Sequence, residues 1–318
     1  MSIMAEYIFE DQVRITAVPD NTDVFTHVQR LWNWPNLART AGSQVMAHAA
    51  GAAYETVPAG YHIHCFQAHF LKQGGLDSPL LYHVERALTS SKFACRVVQV
   101  QQEGIAKAQF TINFMNSNID ETSPYDQSPR AGQESLRAAA GPFDPELADF
   151  NFTGKADESR PPYWPKDKLA PAFICQRLSV TKTDDVCERI YRSKLAINSP
   201  LSSRMAHIIG LIFMSDMYTA DTPLTVQGLH FGPPAIGDRT KAFTDPATHQ
   251  LVTLNHSMHF RKFDGWDAQD GVLFELKVRW LRGRRGVSSL TVRDTKGDVI
   301  ATAEQEVSKL HRAMLSDY

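Results

Sequence analysis

The chain has 318 residues, 43% of them hydrophobic and 21% charged, with a formal net charge of −2; it is long enough to bury two substantial cores and ordinary enough in composition to be globular. The near-neutral balance, with a pI near 6.6, leaves no cationic footprint for nucleic acid, because such domains usually gather Lys and Arg on one face. No apolar stretch of about 18 residues and no charged-then-apolar leader occurs, since Met1 to Glu6 runs straight into strand-like sequence, so the expectation is an intracellular protein without a membrane anchor.

In chain order, Gly42 to Tyr54 is rich in Ala, with Val45, Met46, Ala49, Ala50 and Ala53 at helical spacing, and predicts a helix that stops near Pro58. Its small residues suit a helix that sits close to whatever it faces. Strands are predicted at Tyr61 to Leu71, Leu80 to Leu88, Lys92 to Gln102 and Ile105 to Asn116, with Glu103-Gly104 as a hairpin turn. From Ser117 to Ala172 the chain carries eight prolines and little sustained periodicity, which marks a linker. Tyr163-Trp164 and other apolar residues in it predict a segment packed across the surface. Strand-like Phe173 to Val180 and Glu188 to Ala196 then open a second half. Ser202 and Ser203 can cap a helix whose apolar stripe is Met205, Ile208, Ile209, Ile212 and Phe213. Strands follow at Gln250 to Phe260, Gly271 to Leu281, Gly286 to Asp294 and Asp298 to Leu310, with Lys296-Gly297 as the turn. The basic run Arg279 to Arg285 reads as a solvated hairpin.

The two halves echo each other about 190 residues apart. His64-Cys65-Phe66-Gln67-Ala68-His69-Phe70-Leu71-Lys72 answers Asn255-His256-Ser257-Met258-His259-Phe260-Arg261-Lys262, with His69-Phe70 falling on His259-Phe260, and Gly104 to Gln109 answers Gly297 to Thr302. That period is too long for a solenoid unit and suits a small domain used twice. The expected organisation is a first domain at 1–120, a Pro-rich linker at 121–170 and a second domain at 171–318. One long helix against a strongly curved antiparallel sheet, in duplicate, is an α+β arrangement.

This order of elements, together with the phrases Gly42-Ser43-Gln44-Val45, His64 to Leu71, Met214-Ser215-Asp216 and Thr253 to Met258, resembles the type II acyl-CoA thioesterases. The resemblance covers most of the chain outside the linker. It implies a tandem, or double, hot-dog fold, in which each sheet wraps a central helix. It also implies hydrolysis of an acyl-CoA, or of a carrier-bound acyl thioester, by a water held and activated by an Asp, a Thr and a Gln. By the family's pattern these fall on Asp216, Thr253 and Gln305. The resemblance implies substrate binding at Gly42, Ser43, Gln44 and His64, with no metal and no cofactor. Monomer and homo-oligomer both stay open.

The residue types fit that chemistry. A carboxylate within hydrogen-bond reach of a water can take its proton as it attacks a thioester carbonyl, while a hydroxyl and an amide can orient both partners. Backbone N–H groups at the start of the first helix, near Gly42 to Gln44, are candidates for holding the developing oxyanion. Taken alone, the residues leave blander readings open. Asp216 can simply begin a polar turn, although an anion at a helix C-terminus runs against the macrodipole. Thr253, sharing a face with Leu251, Asn255 and Ser257, can be an ordinary strand threonine. Gln305 alternates with Ala301, Ala303 and Val307, so its amide is expected to point inward and need partners, whether structural or functional. His64 can equally be a satisfied core histidine.

Other chemistries find little support. His62 and His64 share a face, His256 and His259 lie on opposite faces, and no carboxylate or cysteine completes a familiar ligand spacing. Cys65, Cys95, Cys175 and Cys187 are widely spaced with no C-x-x-C, which favours free thiols. G-x-S-x-G, G-x-G-x-x-G, G-x-x-x-x-G-K and H-E-x-x-H are all missing. The C-terminal Ser316-Asp317-Tyr318 is not the S-K-L address. The chain also departs from the family pattern at Ser43, Leu88 to Ser90, Lys92-Phe93, Asn255 and His259, expected to border the substrate channel. These departures motivate one rival, a biosynthetic hot-dog enzyme acting as a product-releasing thioesterase, dehydratase or cyclase; a non-catalytic acyl-binding protein is the other alternative, and the retained Asp, Thr and Gln argue against it.

Overall fold

Gly, Ala and Ser supply most of the first long helix, and the consequence is burial on every side: from Ser43 to Tyr54 no residue of it reaches solvent freely. Side chains this small let neighbouring elements approach closely, and a second helix packs directly on this one. The computed structural model describes residues 8–33, 39–118, 131–141, 150–151, 173–181, 183–197, 199–227 and 250–310. The first half contains α1 (Phe9–Gln12), β1 (Ile15–Ala17), β2 (Val24–His27), α2 (Gly42–Tyr54), β3 (Tyr61–Phe70), β4 (Leu81–Thr89), β5 (Phe93–Gln102) and β6 (Ile105–Asn116). Next come α3 (Gln133–Ala140) and β7 (Phe150–Asn151). The second half contains β8 (Phe173–Val180), β9 (Tyr191–Ile197), α4 (Arg204–Thr219), α5 (Thr222–Thr225), β10 (Gln250–Phe260), β11 (Val272–Arg282), β12 (Arg285–Arg293) and β13 (Val299–Leu310).

All thirteen of these strands form one antiparallel sheet in the order β1-β2-β4-β5-β6-β3-β10-β13-β12-β11-β9-β8-β7. Outward from the central β3–β10 pair, β6, β5, β4, β2 and β1 answer β13, β12, β11, β9 and β8, with β7 added at one edge, so the sequence repeat is a structural twofold. The halves join where β3 pairs with β10, and Gln67 lies opposite Ser257. Those two residues occupy equivalent places in the repeat, which puts the pseudo-twofold axis through that pair. Helices α2 and α4 pack against each other. Gly42 at the start of α2 approaches Asp216 in the last turn of α4, and Tyr54 at the end of α2 feels the charge of Arg204 at the start of α4, so the two run antiparallel.

Most predicted elements recur within a residue or two of their expected bounds. Ser203 caps α4, its hydroxyl accepting the Ala206 N–H at 3.2 Å, and the β5–β6 hairpin turns through Glu103 and Gly104 with φ of 54° and 75°, the pair of positive values a tight two-residue turn demands. Arg279 to Arg285 spans the β11–β12 hairpin. None of the four cysteines is joined in a disulfide.

Two expectations need correction. The segment read as an aperiodic linker contains helix α3, fastened to the second half by hydrogen bonds from Ser135 to Glu275 and from Ser179 to Glu134 at 3.3 Å, and by an Arg192–Glu134 ion pair at 3.0 Å. Glu275 is itself clamped by Arg293 at 2.6 Å, so α3 docks on a buried charge cluster. Pro161-Pro162, Tyr163-Trp164 and the C-terminal Ser316 to Tyr318 lie outside the described residues. The second correction concerns β10: a bulge between Thr253 and Asn255 breaks the strict alternation, so Thr253 and Leu251 turn inward with His256 and Met258, not outward with Asn255 and Ser257. Bulges commonly re-aim one side chain next to a site.

Candidate active site

Three side chains from three elements meet at one point. Asp216 comes from the last turn of α4, Thr253 from the bulge in β10 and Gln305 from β13 beside it. Thr253 Oγ1 donates to Asp216 Oδ1 at 3.0 Å, and Gln305 Nε2 donates to Asp216 Oδ1 at 2.6 Å and to Thr253 Oγ1 at 2.8 Å. A third donor comes from the first half, where the Ser43 N–H in the opening turn of α2 also bonds the Asp216 carboxylate. The anion that runs against the macrodipole of its own helix therefore faces the favourable end of another.

Asp216 and Thr253 open onto a cavity of about 160 Å³ whose wall includes Gly42, Val45, Phe70, Leu80 and Leu251. Asp216 is exposed only in part, and protein surrounds it elsewhere. Burial pushes its carboxyl above the ordinary carboxylate range, and the hydrogen bonds from Thr253, Gln305 and Ser43 pull the other way without cancelling it. Gln305 is fully buried and does not line the cavity; it grips the other two from behind. Arg39, Lys72 and Lys107 also line the cavity. Arg39 donates to Leu251 O at 2.7 Å, and burial lowers its pKa to about 10, leaving it charged.

Of the residues expected to bind substrate, only Gly42 is on the cavity wall. A Cβ there would sit 3.2 Å from Asp216 Oδ2 and 3.4 Å from the Phe70 ring, so glycine is what lets α2 approach the carboxylate. The Ser43 N–H is engaged with Asp216, as above. Gln44 is committed to the protein itself, its side chain accepting from Trp32 N at 2.9 Å and donating to Gln12 O at 3.1 Å. His64 is the extra residue in a β3 bulge between Ile63 and Cys65, set against the Phe93 ring and away from the cavity. Asn255 and His259, expected to border the channel, also lie off the cavity wall, with Asn255 donating to Glu306 at 2.8 Å. Sequence reasoning missed Phe70, Arg39, Lys72 and Lys107. Lys72 sat inside the repeated phrase and was readable there; Arg39 carries no local signal.

The pseudo-twofold places Tyr54, Ile63 and Ile112 where Asp216, Thr253 and Gln305 stand. Ile63 flanks the matching bulge, and Ile112 pairs with Phe66 as Gln305 pairs with His256. Tyr54 fills that position with a hydroxyl that accepts the Ile63 N–H at 3.1 Å. The duplicated framework thus holds one acid–hydroxyl–amide trio among the described residues.

Sheet, paired helices and a site at their junction define a hot-dog fold of the thioesterase kind. An acyl-CoA thioesterase II, TesB2, from Mycobacterium marinum superposes with a TM-score of 0.67 over 96% of this chain and 99% of its own, at 16% identity. A tesB protein from Mycobacterium avium subs paratuberculosis gives 0.66 over 96% and 100%, at 14%. The family model for the acyl-CoA thioesterase C-terminal domain matches residues 139–308, and that for the N-terminal domain matches 31–115. The chain belongs to the acyl-CoA thioesterase family. Acyl-coenzyme A thioesterase 8 of Mus musculus is 38% identical over 72 residues, and its Homo sapiens counterpart 35% over 71. Each alignment spans 22% of the relative's length.

Proposed function

We propose that this protein hydrolyses acyl-CoA thioesters by direct attack of water, with Asp216 as general base. The observation that carries this reading is the Asp216–Thr253–Gln305 triangle on the wall of a largely apolar cavity, with the carboxyl pKa raised by burial. A base works best when its pKa lies near the working pH, and the shift moves Asp216 in that direction. In the reaction the water on Asp216 and Thr253 loses a proton to the carboxylate and adds to the thioester carbonyl. The tetrahedral oxyanion then collapses, expelling the CoA thiolate, which the protonated Asp216 can reprotonate. Gln305 fixes the other two side chains and needs no pKa change. Gly42 N–H, in the first turn of α2, is the helix-start donor placed to meet the oxyanion; one such donor is typically worth about 3 kcal/mol. No acyl-enzyme forms.

Arg39, Lys72 and Lys107 suit the phosphates of CoA. Of the departures that motivated a biosynthetic role, Asn255 and His259 lie off the cavity wall and do not favour that rival. The finer organisation we infer is two hot dogs, 1–120 and 171–318, each with its helix wrapped by its half of the sheet, and 121–170 between them. No helix among the described residues is long and apolar enough to cross a membrane; the intracellular location is our inference from the sequence. Thiol release across short, medium, branched and aromatic acyl-CoAs tests the function: turnover of at least one is expected, and tight binding of acyl-CoA with no thiol released would contradict it.

A further inference from the structure

Behind the trio lie two buried polar atoms for which the reaction gives no account: Gln305 Oε1 and His256 Nδ1, neither of which reaches hydrogen-bond geometry with a partner. They belong to residues directly opposite each other in the β10–β13 pairing, both fully buried. An amide has one donating and one accepting end. At 2.6 Å from a carboxylate oxygen, Gln305 must present its nitrogen to Asp216, because an oxygen there would be repelled. Its own oxygen therefore points to the far side, where the ring of His256 stands, and the Gln305 amide acts on that ring as a hydrogen-bonding neighbour.

The ring is neutral at ordinary pH: burial lowers its pKa to about 4, with the Gln305 amide opposing the shift. Neutral imidazole carries one proton, so one nitrogen donates and the other accepts. Its Nε2 lies 3.0 Å from Ser215 Oγ, the residue before Asp216. With Nδ1 protonated, each group finds a complementary partner: Ser215 O–H donates to His256 Nε2, His256 Nδ1–H to Gln305 Oε1, and Gln305 N–H to Asp216 and Thr253. The Ser215 hydroxyl also has Ile212 O within donating reach at 2.7 Å; turning its proton to His256 Nε2 gives up that bond, and the gain is a donor for the buried Gln305 Oε1, which only the Nδ1–H tautomer supplies.

We propose that His256 is a positioning residue of the reaction, its Nδ1–H locking the Gln305 amide in the one orientation that turns nitrogen toward Asp216 and Thr253, with Ser215 able to serve the opposite ring nitrogen. This rests on the reading of Asp216 as base. It gives His256 a role through Gln305, without contact to substrate.

The test compares His256→Leu, His256→Asn, Gln305→Ala, His256→Leu/Gln305→Ala and Asp216→Asn in one thiol-release assay, with melting curves for each. Removing the donor in His256→Leu should lower kcat roughly ten- to a hundredfold, as for a misplaced catalytic group, with KM unchanged. His256→Asn, which restores a donor at the Nδ1 position, should recover most of kcat. In the Gln305→Ala background the Leu substitution should cost nothing further. Parental kcat in His256→Leu, or an equal loss with and without Gln305, would overturn the role while leaving the site reading intact; an active Asp216→Asn would instead remove the site reading. Should His256→Leu fail to fold, histidine-ring ¹⁵N spectra of the unaltered protein decide. The neutral Nδ1–H tautomer at His256 supports the proposal and an Nε2–H tautomer overturns it.

Discussion

Asp216 is where function and stability oppose each other. Its carboxyl pKa is raised in the folded protein, mainly by burial, so the folded chain holds that proton more tightly than the unfolded one. Stability from this group is therefore full at low pH and falls as pH rises from the ordinary carboxylate value of about 3.9 through the raised one. Asp216→Asn removes that penalty: the variant should melt above the parent at neutral pH, and the gap should close on acidification. A variant melting lower at neutral pH and keeping that deficit on acidification would contradict the burial argument. Activity has the opposite dependence, since the base works only when ionised, so kcat/KM of the parent should fall on the acid side with an apparent pKa above the usual carboxylate range. An acid limb at the ordinary value would mean another group controls turnover. At this scale the sequence was uneven. Asp216 and Gln305 were legible, the first as an anion against its helix dipole and the second as a polar residue on an apolar strand face. Thr253 was read on the wrong strand face, because a bulge leaves no mark in an apolar–polar alternation. His256 was read only as a non-ligand.

The elements explain why the site survives packing this tight. Gly42→Ala would drive a Cβ toward Asp216 Oδ2 and the Phe70 ring, at a position where the helix itself tolerates Ala well. The expected result is a loss of kcat/KM with a melting temperature near that of the parent; a variant as active as the parent would show that α2 can withdraw from the carboxylate. Gly297 answers to a different constraint. Its φ is +89°, and a Cβ there would lie 2.5 Å from Leu136 Cδ2 of α3, so Gly297→Ala should cost about 1 kcal/mol or more and loosen α3, measured as faster hydrogen exchange over Gln133–Ala140. Unchanged exchange would mean that α3 does not depend on the hairpin. The long helices and strands were legible because their apolar periods are sustained. α3 was not: it is held by Ser135, Glu134 and the Glu275 cluster, contacts that no local pattern encodes.

At the scale of the whole molecule, duplication with divergence places one reacting trio at a junction to which both halves contribute: α2 from one, α4, β10 and β13 from the other. The twofold also explains a gap in the sequence reading. β1 and β2 are the counterparts of β8 and β9 across the axis, and two strands read before the second helix imply two before the first; only their shortness, three and four residues, hid them. The cations on the cavity wall belong to this scale too. Lys72→Ala with Lys107→Ala should raise KM for acyl-CoA with little change in kcat, and the difference should shrink as salt screens it; an unchanged KM at low salt would place the CoA phosphates elsewhere. The most direct test of the account is thiol release by Asp216→Asn, folded as judged by its melting curve, on an acyl-CoA the parent cleaves. A fall in kcat of roughly 10²- to 10⁴-fold, the usual contribution of a general base, is predicted, and turnover close to the parent's would contradict it.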